Sequence, residues 1–216
     1  MKVAVIGGSG NLGKRVVHRL LKENNEVTGY VYRSKYQENG VTVIKKNLFD
    51  LTKTEIMNYD VIISAFGGGF NVDPVINKKA FIKYKELLHD SDTNLIAIAG
   101  AESLYVDKDH QMFEYQSANH PQKLKEISRN IRLGIEELKQ DLSFNWIVVC
   151  PSRQFDLNGG YTGQYIIDDN EEIIFNDDQE SYVTYDDLAK AMVDLAKEKE
   201  YFQKVITVVT KTKKKK

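Results

Sequence analysis

The chain has 216 residues, with 30 basic and 31 acidic side chains, a net charge of −1 and 42% apolar content, which suits one α/β domain with a sizeable core and is short for two. No stretch reaches the roughly 18 unbroken apolar residues of a membrane span, and the opening "MKVAVIGGSG" meets glycine too early for a signal-peptide core, so a cytoplasmic protein that does not enter a membrane is expected. Five of the basic residues lie in the closing "KTKKKK", leaving 25 basic against 31 acidic side chains in residues 1–210, a mildly acidic body that argues against a nucleic-acid-binding face.

The first predicted strand, residues 3–6, runs into "GGSGNLGKR". Gly8-xxxx-Gly13-Lys14 is nearly a Walker A loop, but that loop needs Ser or Thr after its lysine to hold Mg²⁺, and here Arg15 follows. Gly7-xx-Gly10-xx-Gly13 fits a dinucleotide fingerprint instead: Gly7 for the tight turn, Gly10 for close approach of the backbone to pyrophosphate, Gly13 for packing of helix on strand. The helix that follows carries Leu12, Val16, Val17, Leu20 and Leu21 as one apolar stripe.

Further strands are predicted at residues 27–32, 41–44, 61–64, 95–99, 146–149 and 205–209, with helices at about 75–89 and 121–140, each opened by a proline, and a last helix begun by a capping box at Thr184 and Asp187. This alternation predicts a single α/β domain with a doubly wound parallel sheet. Single-domain residues 1–210 then carry small substrate-side elements at about 151–185, and residues 211–216 form a disordered lysine-rich tail. The acidic run from Asp168 to Glu180 lacks the glycine of a calcium loop, having Ile173 at the sixth position, and "EEIIFN" reads as a short hairpin strand. The four histidines show no ligand spacing, so no metal is expected. Cys150, the lone cysteine, reads as a small buried residue at a strand end.

The second strand ends in "YVYRSKY". An NAD site usually has an acid here for the ribose hydroxyls, whereas Arg33 and Ser34 suit the 2′-phosphate of NADP, so NADP is expected over NAD.

Taken together, the glycine loop, Arg33, "NLFDLT", "DVIISAFG", "AIAGAESL", "WIVVCPS", "YTGQY" and "ESYVTYDDLAKAMVDLAKE" occur in an order along residues 1–209 that resembles the atypical short-chain dehydrogenases, most of all NAD(P)H-flavin reductases related to NmrA-like proteins and biliverdin reductase B. The resemblance implies a Rossmann-type three-layer αβα fold with strand order 3-2-1-4-5-6-7. It implies that Gly7, Ser9, Gly10, Asn11, Leu12 and Gly13 hold pyrophosphate, that Asn47 and Leu48 lie near adenine, and that Ala65, Phe66 and Gly67 run along the ribose. Gly100, Ala101 and the rest of residues 100–103 would stand at the nicotinamide end, with Pro151 and Ser152 against its ring.

Two departures bear on chemistry. Relatives tend to carry Asp at the position of Asn47 and Gly at that of Glu102. No tyrosine is followed four residues later by lysine, so the acid that protonates an alkoxide in typical short-chain dehydrogenases is missing. Ser103 and Tyr115 are the weak catalytic candidates, but Asn119 occupies the lysine position and Pro121 leaves Tyr115 before the helix; the catalytic residue stays unassigned. A flavin or quinone delocalises incoming charge and needs no such donor, so hydride transfer to a small soft acceptor is expected, with FMN or FAD as a substrate and Phe66, Phe70, Tyr105, Phe113 and Phe155 as an apolar wall. The alternatives are a redox-sensing regulator of the NmrA type, which would act through a protein partner, and a nucleotide-sugar epimerase, for which the chain after the sixth strand is short.

Overall fold

The structure is a computed structural model that describes residues 1–67, 69, 71–117, 120–198 and 200–213. Its strands are β1 (Lys2–Ile6), β2 (Glu26–Val31), β3 (Val41–Lys45), β4 (Val61–Ser64), β5 (Asn94–Ile98), β6 (Trp146–Pro151), β7 (Gln154–Asp156), β8 (Tyr165–Asp168), β9 (Tyr182–Thr184) and β10 (Lys204–Thr210); its helices are α1 (Asn11–Lys22), α2 (Lys53–Ile56), α3 (Val75–Leu88), α4 (Gln122–Lys139) and α5 (Tyr185–Leu195). Among the described residues the main sheet has eight strands in the order β3-β2-β1-β4-β5-β6-β10-β8. All its pairings are parallel except β10 with β8.

Alternation along the central strands sends successive side chains to opposite faces. Ala4 and Ile6 of β1, with Trp146, Val148 and Cys150 of β6, join one apolar cluster with Phe81, Tyr84, Leu88, Ile135 and Leu138 of α3 and α4. Val3 and Val5, with Ile147 and Val149, join the other, under Val16, Val17 and Leu20 of α1 and Leu188 and Met192 of α5. The result is a single three-layer domain of Rossmann type. Gly134 lets α3 and α4 approach closely: a Cβ there would lie 2.6 Å from a ring carbon of Phe81.

The seven strands expected from sequence stand in the order 3-2-1-4-5-6-7, with β10 as the seventh, and β8 adds an antiparallel edge. The expected strand in "EEIIFN" is not formed. Glu172 makes only an isolated bridge to Tyr105, because Glu171 turns the chain at φ 60° and its carboxylate is taken by Arg132 and Lys139. The strand lies just before it, where residues 165–168 pair with 207–210. The small pair β7 and β9 was also absent from the sequence reading.

The capping box at α5 is half made. Thr184 accepts from the backbone N–H of Asp187, but the fully buried Asp187 carboxylate accepts instead from the N–H groups of Thr162 and Gly163 and from the hydroxyls of Thr162 and Thr210. That fastens "YTGQY" to the start of α5. At the chain's end, Lys211 N–H donates to Gln164 O at 3.0 Å and Lys213 pairs with Glu180 at 2.5 Å; of the expected tail at residues 211–216, residues 214–216 lie outside the described residues.

Candidate functional site

Strand β1 has neighbours on both sides, β2 and β4, so the chain reverses its direction of winding there, and open α/β sheets hold ligands at such points beyond the strand C-termini. Gly7 takes φ +78°, and a Cβ on it would lie 3.0 Å from Ala65 O. At Gly13 a Cβ would be 2.1 Å from Gly7 O, whereas at Gly10 it would be 3.3 Å from that same oxygen and within 4 Å of nothing else among the described residues. Gly7 and Gly13 therefore close the turn, and Gly10 faces open space at the start of α1. Among the described residues no side chain caps that helix end, and its first turn holds no acid. Its free N–H groups and the positive end of its dipole suit an anion.

Arg15, which broke the Walker pattern, has a structural task. Its three nitrogens go to Asn11 O at 2.9 Å, Asp186 at 3.1 Å and Leu157 O at 3.0 Å, tying α1 to α5.

From the helix end a cleft of about 500 Å³ opens, within the range of small-molecule sites. Gly10, Asn11, Leu12, Ala65, Phe66 and Gly67 line it, together with Ile98 and Ala99 at the end of β5. Its far walls hold two groups that no sequence motif marks. One is Phe81, Tyr84 and Ile131 from α3 and α4; the other is Tyr185, stacked on Phe155 with centroids 3.7 Å apart and planes at 2°. Tyr84 hydroxyl and Ser64 Oγ lie 2.5 Å apart, and Ser64 Oγ accepts from Phe66 N–H at 3.2 Å, which fixes the 65–67 segment. Burial pushes the Tyr84 phenol well above its ordinary range, so it stays protonated. Their helical spacing made these side chains look like core, and no local signal marks them otherwise.

The other expected cofactor and catalytic residues are not part of this cleft's lining. Arg33 is exposed beyond β2, its guanidinium 4.8 Å from the Tyr32 ring, and makes no ion pair among the described residues; Ser34 lines a separate hollow of about 430 Å³ with Lys35 and Tyr36. Asn47 caps a short 3-10 turn, its side-chain oxygen accepting from Phe49 N–H at 3.2 Å, and Leu48 is buried in the core. Gly100 follows the rim residue Ala99, and the Glu102 carboxylate folds back over it, within 2.6 Å of where its Cβ would stand. Ala101, Ser103 and Ser152 are buried, the Ser103 hydroxyl has no hydrogen-bond partner among the described residues, and Ser152 donates to Gln154 O at 3.3 Å. Pro151 closes β6 beside β10. Of the expected apolar wall, Phe66 and Phe155 line the cleft, Tyr105 and Phe113 stack on each other nearby, and Phe70 lies outside the described residues, as does Asn119.

One cluster elsewhere resembles a hydrolase triad and is not one. Ser143 and Asp141 both meet His89, but at the same nitrogen, Nδ1, at 3.0 and 2.8 Å; a nucleophile and its orienting acid need opposite nitrogens. No three His, Cys, Asp or Glu side chains gather to hold a metal among the described residues, and none of those residues form a helix long and apolar enough to cross a membrane.

A family model described as NAD(P)H-binding matches residues 7–199. The uncharacterized protein YwnB of Bacillus subtilis (strain 168) is 29% identical over 211 residues, covering 97% of this chain and 99% of its own. A solved structure from Streptococcus pneumoniae TIGR4, described as "a putative NADH-flavin reductase", is similar at 30% identity with a TM-score of 0.89, covering 97% of this chain and 99% of that one. ChuY from Escherichia coli O157:H7, described as an anaerobilin reductase, shares the fold at 17% identity and a TM-score of 0.74, over 100% of both chains.

Proposed function

The chain belongs to the NAD(P)H-binding family, and from that premise we propose that it is a reductase which prefers NADPH and passes hydride to a soft conjugated acceptor, a flavin or a quinone-like ring. The observation that carries the reading is the uncapped N-terminus of α1, opening straight into a cleft whose far wall is aromatic. The site fits a dinucleotide: Gly10 presents backbone where a side chain would block it, and the first turn of α1 offers N–H groups to a pyrophosphate. Reduced nicotinamide, when bound, supplies the hydride, and the acceptor takes its accompanying proton from water. The protein's part is orientation and exclusion of water. Ser64 and Tyr84 hold the 65–67 segment, and Phe155 with Tyr185 screens the cleft.

Steady consumption of NADPH with FMN, FAD or a quinone is the test. Tight NADPH binding without turnover on any of them would favour a redox sensor acting through a partner protein.

Cofactor choice is expected to follow Arg33. NADPH should bind more tightly than NADH, and Arg33→Ala should remove most of the difference, roughly tenfold to a hundredfold for a charge-assisted contact of ~1.5–3 kcal/mol. Calorimetry that finds equal affinities in the wild type, or an equal loss for both nucleotides in the variant, would count against the assignment.

The absence of a Tyr-xxx-Lys pair predicts that no single side-chain acid controls the rate. General acid catalysis contributes about 10²–10⁴, so losing a true donor is obvious. Tyr115→Phe and Ser103→Ala are expected to slow flavin reduction only a few fold. A fall in kcat of roughly a hundredfold or more in Tyr115→Phe, with KM little changed, would point to a carbonyl reductase with a rearranged tyrosine.

A further inference from the structure

Beside the cleft, four rings lie nearly parallel in one run. His110 stacks on Tyr105 at 4.2 Å and 2°, Tyr105 on Phe113 at 4.2 Å and 27°, and Phe113 on Tyr115 at 5.6 Å and 10°. Glu172 holds the His110 end at 3.2 Å. At the other end Tyr115 is half-buried, and no described ring besides Phe113 stacks on it. The inner rings are clamped: the Arg132 guanidinium lies 4.4 Å from the Phe113 centroid and 5.2 Å from that of Tyr105, while Glu171 holds Arg132 at 2.8 Å.

Its position matters as much as its shape. Tyr115 belongs to a 3-10 turn, Glu114–Gln116, that packs against the turn Ala101–Ser103 just past Ala99 on the cleft rim. Glu114 is bound by both Nε and a terminal nitrogen of Arg153, at 3.0 and 2.7 Å, immediately after β6. The Tyr115 end of the stack is thus latched to the ends of β5 and β6, where the resemblance puts the nicotinamide.

We propose that the outer face of Tyr115 seats the acceptor, and that it selects a fused planar ring system of the isoalloxazine type over a single-ring quinone. The assignment rests on the reductase reading above and deepens it. A ring already stacked on Phe113 loses less rotamer freedom when it stacks on a ligand, and a fused system overlaps it over more area than one ring does. The phenol hydroxyl has no role in this, so phenylalanine serves in its place.

The experiment titrates FMN into the protein saturated with NADP⁺, which cannot reduce it, and reads quenching of flavin fluorescence. Tyr115→Leu should weaken FMN about tenfold or more, as loss of a stacking ring does. Tyr115→Phe should stay within about threefold of the wild type and Tyr115→Trp should bind at least as tightly. With the wild type as enzyme, KM for p-benzoquinone should exceed that for FMN, and Tyr115→Leu should narrow the gap. If the leucine variant fails to fold, the phenylalanine and tryptophan variants decide. FMN affinity unchanged in Tyr115→Leu, equal losses in the phenylalanine and leucine variants, weaker binding in Tyr115→Trp, or no FMN binding by the wild type would each overturn the assignment. Ring-dependent FMN binding without turnover of any acceptor would keep the seat and sink the reductase reading.

Discussion

Gly10→Val is expected to lower affinity for NADPH by roughly a hundredfold or more, a loss of ~3 kcal/mol, while the folded protein remains. The backbone at Gly10, φ −74° and ψ 170°, is open to any residue, and its Cβ would meet only Gly7 O, at 3.3 Å. Valine therefore leaves the turn in place and sets its methyl groups over the free N–H groups of α1. Gly13→Ala is the contrast. Its Cβ would lie 2.1 Å from Gly7 O and 2.9 Å from Gly8 Cα, both backbone atoms, so the loop itself must deform and the melting temperature should fall. Calorimetry and a thermal melt on both variants separate the two cases. Wild-type affinity in Gly10→Val would remove the pyrophosphate from this loop, and Mg²⁺-dependent ATP hydrolysis lost in Lys14→Ala would restore the Walker reading.

The second large effect is structural. Arg132 is 5% exposed and joins Glu171, Glu136 and the Phe113 ring, while Lys139 reaches Glu171 at 2.6 Å. Removing Arg132 leaves Glu171 with Lys139 alone and takes the cation off the Phe113 ring, at a cost of up to ~3–5 kcal/mol for breaking a buried pair. Arg132→Met should therefore lower the melting temperature by roughly 6–20 °C in a chain of this size, and adding Glu171→Gln should recover part of the loss. Burial on its own would raise the Glu171 carboxyl, but hydrogen bonds from Lys139 and Arg132 outweigh it and hold the group below its ordinary range. A depressed carboxylate contributes its full stability above the unfolded value of about 4.3 and loses it as pH falls through the folded one. The acid limb of the stability curve should accordingly be shallower in Arg132→Met. A melt within about 2 °C of the wild type would show that Lys139 alone satisfies Glu171.

Arg132 also shows where sequence reading stops. The stripe of α1, the glycine turn and the strands of the parallel sheet were legible because each follows from local period and local chemistry. Arg132 sits in α4 among Lys and Glu residues that face water, and only the approach of Glu171, distant in sequence, makes it a buried clamp. "EEIIFN" alternates like a strand, yet Glu171 spends its carboxylate on α4 and turns the chain away. Tyr84 and Ile131 follow the core period of their helices and line the cleft only because the sheet ends beneath them. At Thr184 the cap itself was readable. That Asp187 would serve Thr162, Gly163 and Thr210 instead of returning the bond was not, since those partners come from another part of the chain.

Cys150 gives the molecule a built-in timer. Its thiol is fully buried on β6, an interior strand of the sheet, and burial holds it protonated far above neutral pH. An alkylating reagent therefore finds neither a path nor a thiolate until the sheet parts. The modification rate counts those openings, and a nucleotide bound at a hundred times its dissociation constant should slow the count about a hundredfold.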